Sequence, residues 1–191
     1  MKASWMRYMI CEVKSMPGLL TEEKQHYAID CKNAVWASDG IHDLYHTCGV
    51  DGILSDADFA VETESKMLLI EYKNANIPEA IAHNTTSTQY DPFKQDNFNK
   101  LVSKYYDSLH YLHLAGKEKP VCYVCLLEYP DSDSVSRKRL RNRLKKRLPF
   151  HMQEQFDTGV KLIESVAVVN IEEWNADELF GQFPIQPIAQ K

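Results

Sequence analysis

Apolar residues along the chain follow two spacings, one typical of strands and one typical of helices. Short apolar runs at about 53–62 and 66–73 predict two strands joined by a polar hairpin at 63–65. Two later runs rich in β-branched and aromatic residues, at 121–128 and 160–171, predict buried strands. The hydrophobic pattern therefore predicts four strands.

Other segments repeat apolar residues at helical spacing. A helix with a threonine cap is expected over 21–39, and a second helix of about five turns is expected over 98–116. Residues 134–147 predict an amphipathic helix, because leucines recur every four positions among cations. The looser stretches 41–52 and 74–93 carry no such repeat and are expected to be irregular.

Acidic and basic residues interrupt the two strands of the hairpin at positions that suit a single site. Side chains two residues apart share one face of a strand, so Asp56 and Asp58 point the same way, and so do Glu71 and Lys73. An antiparallel pair of strands at this spacing brings Asp58, Glu71 and Lys73 close together. Because unpaired charges are costly at the edge of a core, this placement indicates a functional site.

The composition is that of an ordinary globular protein. The 191 residues are 44% hydrophobic and 26% charged, and the length is within the range of one domain. The net charge of −5 excludes a chain that is basic throughout, so a polyanion partner must contact a local patch. The five cysteines do not resemble a disulfide framework, and no apolar run approaches the ~20 residues of a membrane span. We therefore expect a cytoplasmic protein with no membrane partner.

The predicted helix at 134–147 carries the densest positive charge, with eight cations in the eleven positions of 137–147. Such a helix binds a nucleic-acid backbone through counterion release, without selecting a sequence. The expected contacts are Arg137, Lys138, Arg141 and Lys145. An acidic face on a partner is the alternative target for this helix.

The charged positions of the hairpin resemble the motif of the PD-(D/E)XK nuclease superfamily. Asp58 on the first strand and Glu71-Tyr72-Lys73 on the second carry the resemblance, although Ala57 stands where the motif has proline. The order of elements over about 20–130 is also similar, with a helix, two antiparallel strands, a helix and a further strand. The resemblance implies a restriction-endonuclease-like fold and a nuclease activity.

The implied fold is α/β, a three-layer α-β-α sandwich with a mixed central sheet and an αβββαβ core. That core would lie at about 20–130, and the basic helix and last strand would complete it at 134–175. No repeat or linker divides the chain, so residues 1–191 are expected to form a single nuclease-like domain.

The resemblance further implies a hydrolase that cuts phosphodiester bonds in DNA with Mg²⁺ or Mn²⁺. Two carboxylates and a main-chain carbonyl form an oxygen-rich site suited to these ions, which makes Asp58 and Glu71 the expected metal ligands and the Tyr72 carbonyl a third. Lys73 would orient or deprotonate the attacking water, or stabilise the transition state as a fixed cation. Asp58, Glu71 and Lys73 are therefore the expected catalytic residues.

Four other residues are candidates for accessory roles. Asp56 competes with Asp58 as the metal ligand, and the two acids could also share a proton or bind two ions. By analogy with the family, Glu22 or Glu23 of the first helix could approach the metal, and Lys104 of the long helix could face the site. Ordinary helix surface is the alternative for Lys104.

A second function is compatible with the same residues. A non-catalytic module could keep the nuclease-like fold and use its basic helix to bind nucleic acid or a protein partner. A homodimer is also compatible with the resemblance, because many nucleases of this class use two active sites to cut two strands.

Overall fold

A computed structural model of the protein describes residues 18–22, 26–76, 90–130 and 132–188. The strands in these ranges are β1 Leu19–Thr21, β2 Tyr27–Asp30, β3 Trp36–Ser38, β4 Phe59–Glu62, β5 Met67–Asn74, β6 Val121–Glu128, β7 Ile163–Val169 and β8 Ile185–Pro187. The helices in these ranges are α1 Ile41–Thr47, α2 Gln95–Leu114, α3 Ser134–Lys145, α4 Phe150–Gln153 and α5 Ile171–Ala176, with a 3₁₀ turn at Phe180–Gln182.

Strands β3 to β7 form one mixed sheet in the order in which they occur in the chain. β3 pairs with β4, and β4 with β5, in the antiparallel sense, whereas β5, β6 and β7 run parallel to one another. A parallel pair needs a long crossover, and α2 lies in the crossover from β5 to β6. The predicted α/β class and mixed central sheet are confirmed.

Hydrophobic side chains cover both faces of the mixed sheet. Along β5, Met67 and Leu69 point to a core that contains residues of α2 and α3, while Leu68 and Ile70 point to a second core. The second core contains residues of a small antiparallel sheet, β1-β2-β8, and of α5. The mixed sheet is thus a middle layer with helices on one face and the small sheet with α5 on the other, which is compatible with a three-layer sandwich.

Most of the predicted regular elements are present. The five-turn helix corresponds to α2, and Gly116 follows its end with a left-handed φ of 68°. The basic helix corresponds to α3, which begins with a capping box between Asp133 and Ser136. The strands expected at 121–128 and 160–171 correspond to β6 and β7. Among the described helices, none has the length and apolar character needed to span a membrane.

The helix expected over 21–39 is wrong, because this segment ends β1 and forms β2 and β3. Trp36, Ala37 and Ser38 are all buried, whereas a surface helix would expose part of any three consecutive residues. The next residue towards the N-terminus, Val35, is 50% exposed. The strands are paired with β1, β4 and β8, so tertiary contacts override the local spacing here.

The first strand of the predicted hairpin begins later than expected, at Phe59. The preceding residues are irregular because side chains of α2 bind their main chain. Asp107 Oδ2 accepts a hydrogen bond from the Ser55 N–H at 2.9 Å, and Ser108 Oγ accepts one from the Ala57 N–H at 2.9 Å. The two acidic residues before the strand therefore lie in a segment that is held against α2, not in a regular strand.

Regular structure also occurs where the hydrophobic pattern predicted none. α1 lies within the stretch 41–52, and α5 and β8 follow the last predicted strand. Trp174 of α5 is fully buried and donates its indole N–H to the carbonyl of Phe183 at 2.8 Å, which fixes the C-terminal part of the chain. Of the stretch 74–93, residues 77–89 lie outside the described ranges.

Candidate active site

Asp58 lies directly before the start of β4, at the point where the neighbouring strand β5 continues beyond its pairing with β4. The last residue pair of this ladder is Phe59 opposite Ile70, and β5 extends beyond it. Asp58 Oδ2 accepts a hydrogen bond from the Tyr72 N–H at 2.6 Å. The Asp58 carboxylate thus accepts a hydrogen bond that a main-chain carbonyl of β4 would accept if the ladder continued. This bond holds Asp58 beside β5.

Glu71 carries the second carboxyl group of the cluster. The alternation of β5 places it on the same face as Met67 and Leu69, the face covered by α2. Its carboxyl group lies close enough to that of Asp58 for the two groups to interact, and its Oε2 lies 2.7 Å from Nζ of Lys104 in α2. Glu71 is only 6% exposed. Two carboxyl groups and one ammonium therefore meet between the start of β4 and α2.

Burial and mutual repulsion act on the pKa values of this cluster. Burial raises the pKa of Glu71 well above its usual range, and the charge of Asp58 raises it further, against the opposing effect of Lys104. Burial also raises the pKa of Asp58, although Lys104 and the Tyr72 N–H oppose the shift. Burial alone would lower the pKa of Lys104, but Glu71 and Asp58 raise it to about 12. Without a metal, the pair favours one proton between its carboxyl groups, next to a protonated lysine.

Asp56 contacts a different partner from Asp58. Its Oδ1 lies 3.4 Å from Nδ1 of His42 in α1, and its side chain is 22% exposed. After burial, which is the main cause, the charge of Asp56 also contributes to the raised pKa of Asp58. Of the two aspartates that competed for the ligand role, Asp58 is the one in contact with Glu71.

Lys73 follows Glu71 on the same face of β5 but is exposed. Its Nζ lies 5.8 Å from the centre of the Tyr90 ring. Within the described ranges, no ion pair joins Lys73 to Asp58 or Glu71, and Lys104 is the cation in contact with the pair. The structure thus brings two of the three expected catalytic residues into contact and places the third at the exposed side of the site.

Tyr72 presents its main chain to Asp58. In a strand, the N–H and the C=O of one residue point to the same neighbouring strand, so the Tyr72 carbonyl points to the side where its N–H meets Asp58. Its phenol ring packs on the opposite face of the sheet, against the second core. A carbonyl in this position can complete a ligand set that begins with two carboxylates.

The donor atoms of this cluster fit a hard divalent cation. Carboxylate and carbonyl oxygens are the ligands that Mg²⁺ and Mn²⁺ prefer, and Mg²⁺ commonly keeps several waters beside one or two carboxylates. Asp58 and Glu71 are in contact, which one shared ion requires. In the part of the chain that is described, no three His, Cys, Asp or Glu side chains are arranged to hold an ion, so the Tyr72 carbonyl and water would complete the set.

Glu22, one of the two carboxylates expected from the first helix, lies on the other face of the sheet. It lines a small pocket with Tyr27 and Tyr72, whose side chain is on the face of β5 opposite Glu71. The reason is that its segment forms strands packed on the second core, not a helix beside α2. Glu23 lies outside the described residues.

Arg137 of the basic helix is used inside the protein. It is 7% exposed, and its guanidinium donates to both carboxylate oxygens of Glu173 at 2.8 and 2.5 Å and to the carbonyl of Ser132 at 2.7 Å. These bonds tie α3 to the start of α5. The donors of Arg137 are therefore directed at protein groups and not at solvent.

Lys138, Arg141 and Lys145 lie on the exposed side of α3. Lys145 Nζ is 5.4 Å from the centre of the Phe150 ring, and Lys138 and Arg141 form no ion pair with the residues that the structure describes. α3 follows the carboxyl end of β6, which is parallel to β5. The start of α3 is therefore at the same end of the sheet as Glu71.

Two residues of α2 that organise the site have a weak sequence signal. Lys104 and Ser108 fall within the buried stripe of Leu101, Tyr105 and Leu112, at positions where helical periodicity favours apolar side chains. A polar residue in such a stripe indicates a buried polar contact. Which contact it makes depends on the rotation of the helix over the sheet, and spacing alone does not determine that rotation.

Comparisons of the chain with models of protein families, with curated proteins and with solved structures found no match. A function is therefore proposed from the residues of the site and their geometry.

The raised pKa of Glu71 predicts how Glu71→Gln changes the pH dependence of stability. The unfolded chain releases the Glu71 proton near the usual pKa of 4.5, whereas the folded protein retains it to higher pH. The free energy of unfolding of the wild type therefore contains a contribution that falls as pH rises above that pKa. Glutamine removes this contribution. In EDTA, the variant should therefore gain stability relative to wild type from about pH 5 to about pH 8, as measured by urea unfolding.

Glu62→Gln is the control, because its stability relative to wild type should change with pH in the opposite direction. Burial favours a higher pKa for Glu62, but Lys117 and Lys119 lower it below its usual value. The ionised Glu62 side chain stabilises the folded protein above its usual pKa, and this contribution is lost as pH falls. The Glu62→Gln variant should therefore lose stability relative to wild type as pH rises through the acidic range. A Glu71→Gln variant that does not gain on wild type with rising pH would contradict the assignment.

Proposed function

We propose that the protein is a metal-dependent nuclease with a restriction-endonuclease-like fold, which hydrolyses phosphodiester bonds in DNA. The observation that carries this proposal is the close approach of the half-buried carboxyl group of Asp58 to the buried carboxyl group of Glu71 beside the start of β4. Two such groups repel each other when ionised, so the arrangement is costly unless a cation compensates it. A divalent cation shared by the two groups compensates the repulsion and also supplies a chemical function.

The order of elements supports the fold assignment. The antiparallel strands β3, β4 and β5 are followed by α2 and then by β6, which is parallel to β5. This order matches the βββαβ part of the αβββαβ core that the PD-(D/E)XK resemblance implies. The element order differs from that core in two places. In the described residues before β3, the chain forms strands at the position where the core would begin with a helix, and α1 lies between β3 and β4.

Phosphodiester hydrolysis requires an activated water and positive charge beside the phosphate. A bound Mg²⁺ or Mn²⁺ ion would supply both, by lowering the pKa of a bound water and by withdrawing charge from the phosphate oxygens. The chain holds the ligands firmly, since Asp58 is bound by the Tyr72 N–H and Glu71 is part of β5. Lys73, exposed on the same face as Glu71, orients the water or contacts the phosphate from the open side.

The exposed cations of α3 provide the contact with the DNA backbone. Lys138, Arg141 and Lys145 are exposed on a helix that starts at the same end of the sheet as Glu71. They neutralise phosphates without reading base edges, so this part of the binding is independent of sequence. For duplex DNA, a second copy of the chain in a homodimer would provide the site for the opposite strand.

The burial of Glu71 favours a second candidate function. Glu71 is 6% exposed and pairs with Lys104 at 2.7 Å, which is also the geometry of a purely structural ion pair. A non-catalytic module with the same fold would use α3 to bind nucleic acid or a protein partner. The two candidates differ in whether the carboxylate pair binds a metal and supports cleavage.

The nuclease proposal predicts that the purified protein cuts plasmid and single-stranded DNA with Mg²⁺ or Mn²⁺ and not in EDTA. Asp58→Asn and Glu71→Gln preserve the shape of the side chains but remove a ligand charge. We therefore expect each variant to lower the cleavage rate by about 100-fold or more. The rate is measured from the conversion of supercoiled plasmid to nicked and linear forms, and from the shortening of a labelled single strand.

Glu62→Gln is the matched control for cleavage. Glu62 is also a buried carboxylate paired with lysines, Lys117 at 2.7 Å and Lys119 at 3.0 Å. It lies at the other end of β4, about 13 Å from Asp58 along the strand, so the variant should cleave at the wild-type rate. Cleavage that persists in both site variants would refute the assignment of the site. If folded wild-type protein cuts neither substrate with either ion, the non-catalytic module is favoured.

The assignment of α3 predicts a change in the salt dependence of DNA binding. Each phosphate contact to duplex DNA contributes about 0.9 to the slope of log affinity against log salt concentration, so replacing Lys138 and Arg141 by glutamine should reduce the slope by about 2. Fluorescence anisotropy in EDTA measures the slope. The same change of charge at Lys32 and Lys161, which are exposed elsewhere, should leave it nearly unchanged. Equal slopes for the two double variants would show that α3 does not contact DNA.

A further inference from the structure

Lys104 occupies the position beside Glu71 where a cation is needed. Its Nζ lies 2.7 Å from Glu71 Oε2, and Glu71 is in turn in contact with Asp58. Within the ranges that the structure describes, Lys104 is the one lysine or arginine that forms an ion pair with either carboxyl group. A single positive charge from α2 therefore partly offsets two carboxyl groups from the sheet.

The side chain of Lys104 can leave this position without a change in the fold. Leu101 and Tyr105, on either side of it along α2, are buried and hold the helix on the sheet. The Lys104 side chain itself is 24% exposed, whereas the Glu71 side chain is 7% exposed. Because a flexible four-carbon stem carries the ammonium, that group can move to solvent while Glu71 stays buried.

A divalent cation shared by Asp58 and Glu71 would bind the Glu71 carboxylate, whose Oε2 the Lys104 ammonium already contacts. Metal ligands of this type lie about 2.0–2.6 Å from the ion, so a metal on Glu71 would come close to an ammonium on the same carboxylate. Two cations at such a separation in a buried site repel each other strongly. The ammonium and the metal are therefore alternative occupants of one position.

We propose that Lys104 is a built-in counter-ion that holds the carboxylate pair together when no metal is bound, and that Mg²⁺ or Mn²⁺ binds by displacing it. This inference rests on the proposed function, because it takes Asp58 and Glu71 as the metal ligands. It adds a positioning residue that sets the concentration of metal at which the site is loaded.

The displacement predicts that removal of Lys104 strengthens metal binding. The ammonium stabilises the empty site, which is negatively charged, more than the loaded site, whose charge the metal has offset. Lys104→Met should therefore lower the dissociation constant for Mn²⁺ by about 10-fold or more. A residue that merely supported the fold would have the opposite effect, because its removal would loosen the ligands.

Isothermal titration calorimetry of Mn²⁺ into the full chain tests this prediction with two matched controls. Lys104→Arg keeps the positive charge, and Lys100→Met removes the same charge from an exposed position one turn earlier in α2. Each control should bind Mn²⁺ within about 3-fold of the wild-type constant. Thermal unfolding in EDTA checks that every variant is folded. Mn²⁺ should raise the unfolding temperature of Lys104→Met more than that of wild type at the same concentration.

The outcomes separate this inference from the proposed function. Tighter Mn²⁺ binding by folded Lys104→Met supports the counter-ion role even if the protein cleaves no DNA. Unchanged or weaker binding by that folded variant overturns the role, even if the wild-type protein is an active nuclease. Absence of Mn²⁺ binding by wild type and by the variant overturns both. If Lys104→Met does not fold, Lys104→Gln, which keeps a polar end, provides the same comparison.

Discussion

The close approach of two carboxyl groups, that of Glu71 buried and that of Asp58 half-buried, is the constraint on which the rest of this structure depends. Asp58 and Glu71 repel each other when ionised, and their removal from water adds to the cost. The Tyr72 N–H and the Lys104 ammonium offset part of that cost, and they come from two different elements. The cluster therefore forms only if the start of β4, the extension of β5 and α2 are correctly placed relative to one another.

α2 connects this cluster to the hydrophobic core. Its apolar residues hold one face on the mixed sheet, and from the same helix Lys104 reaches Glu71 while Asp107 and Ser108 bind the main chain before β4. Core packing thereby determines how closely two carboxyl groups from separate parts of the chain approach. The topology makes this possible, because the crossover from β5 to its parallel neighbour returns over the face of the strand that carries Glu71.

The carboxyl pair could be predicted from sequence because each member interrupts an apolar run next to a hairpin, and alternation in a strand is a local property. Strand alternation identifies Asp58 and Glu71, helical spacing identifies the long helix, and a continuous apolar run identifies the strand that follows it. The strands within 21–39 could not be identified, because their partners lie elsewhere in the chain and the local spacing favoured a helix. Arg137 could not be separated from the exposed cations of its helix, because Glu173, the acid that it binds, is far along the chain.

A divalent cation held between Asp58 and Glu71 is the central requirement of the proposed nuclease function. A crystal structure of the protein grown with Mn²⁺, with anomalous diffraction recorded to locate the ion, tests this requirement most directly. We expect an anomalous peak within about 2.0–2.6 Å of a carboxylate oxygen of each residue, with the Lys104 ammonium withdrawn from Glu71. An intact pair between Lys104 and Glu71, with no peak between the two carboxylates at saturating Mn²⁺, would contradict it.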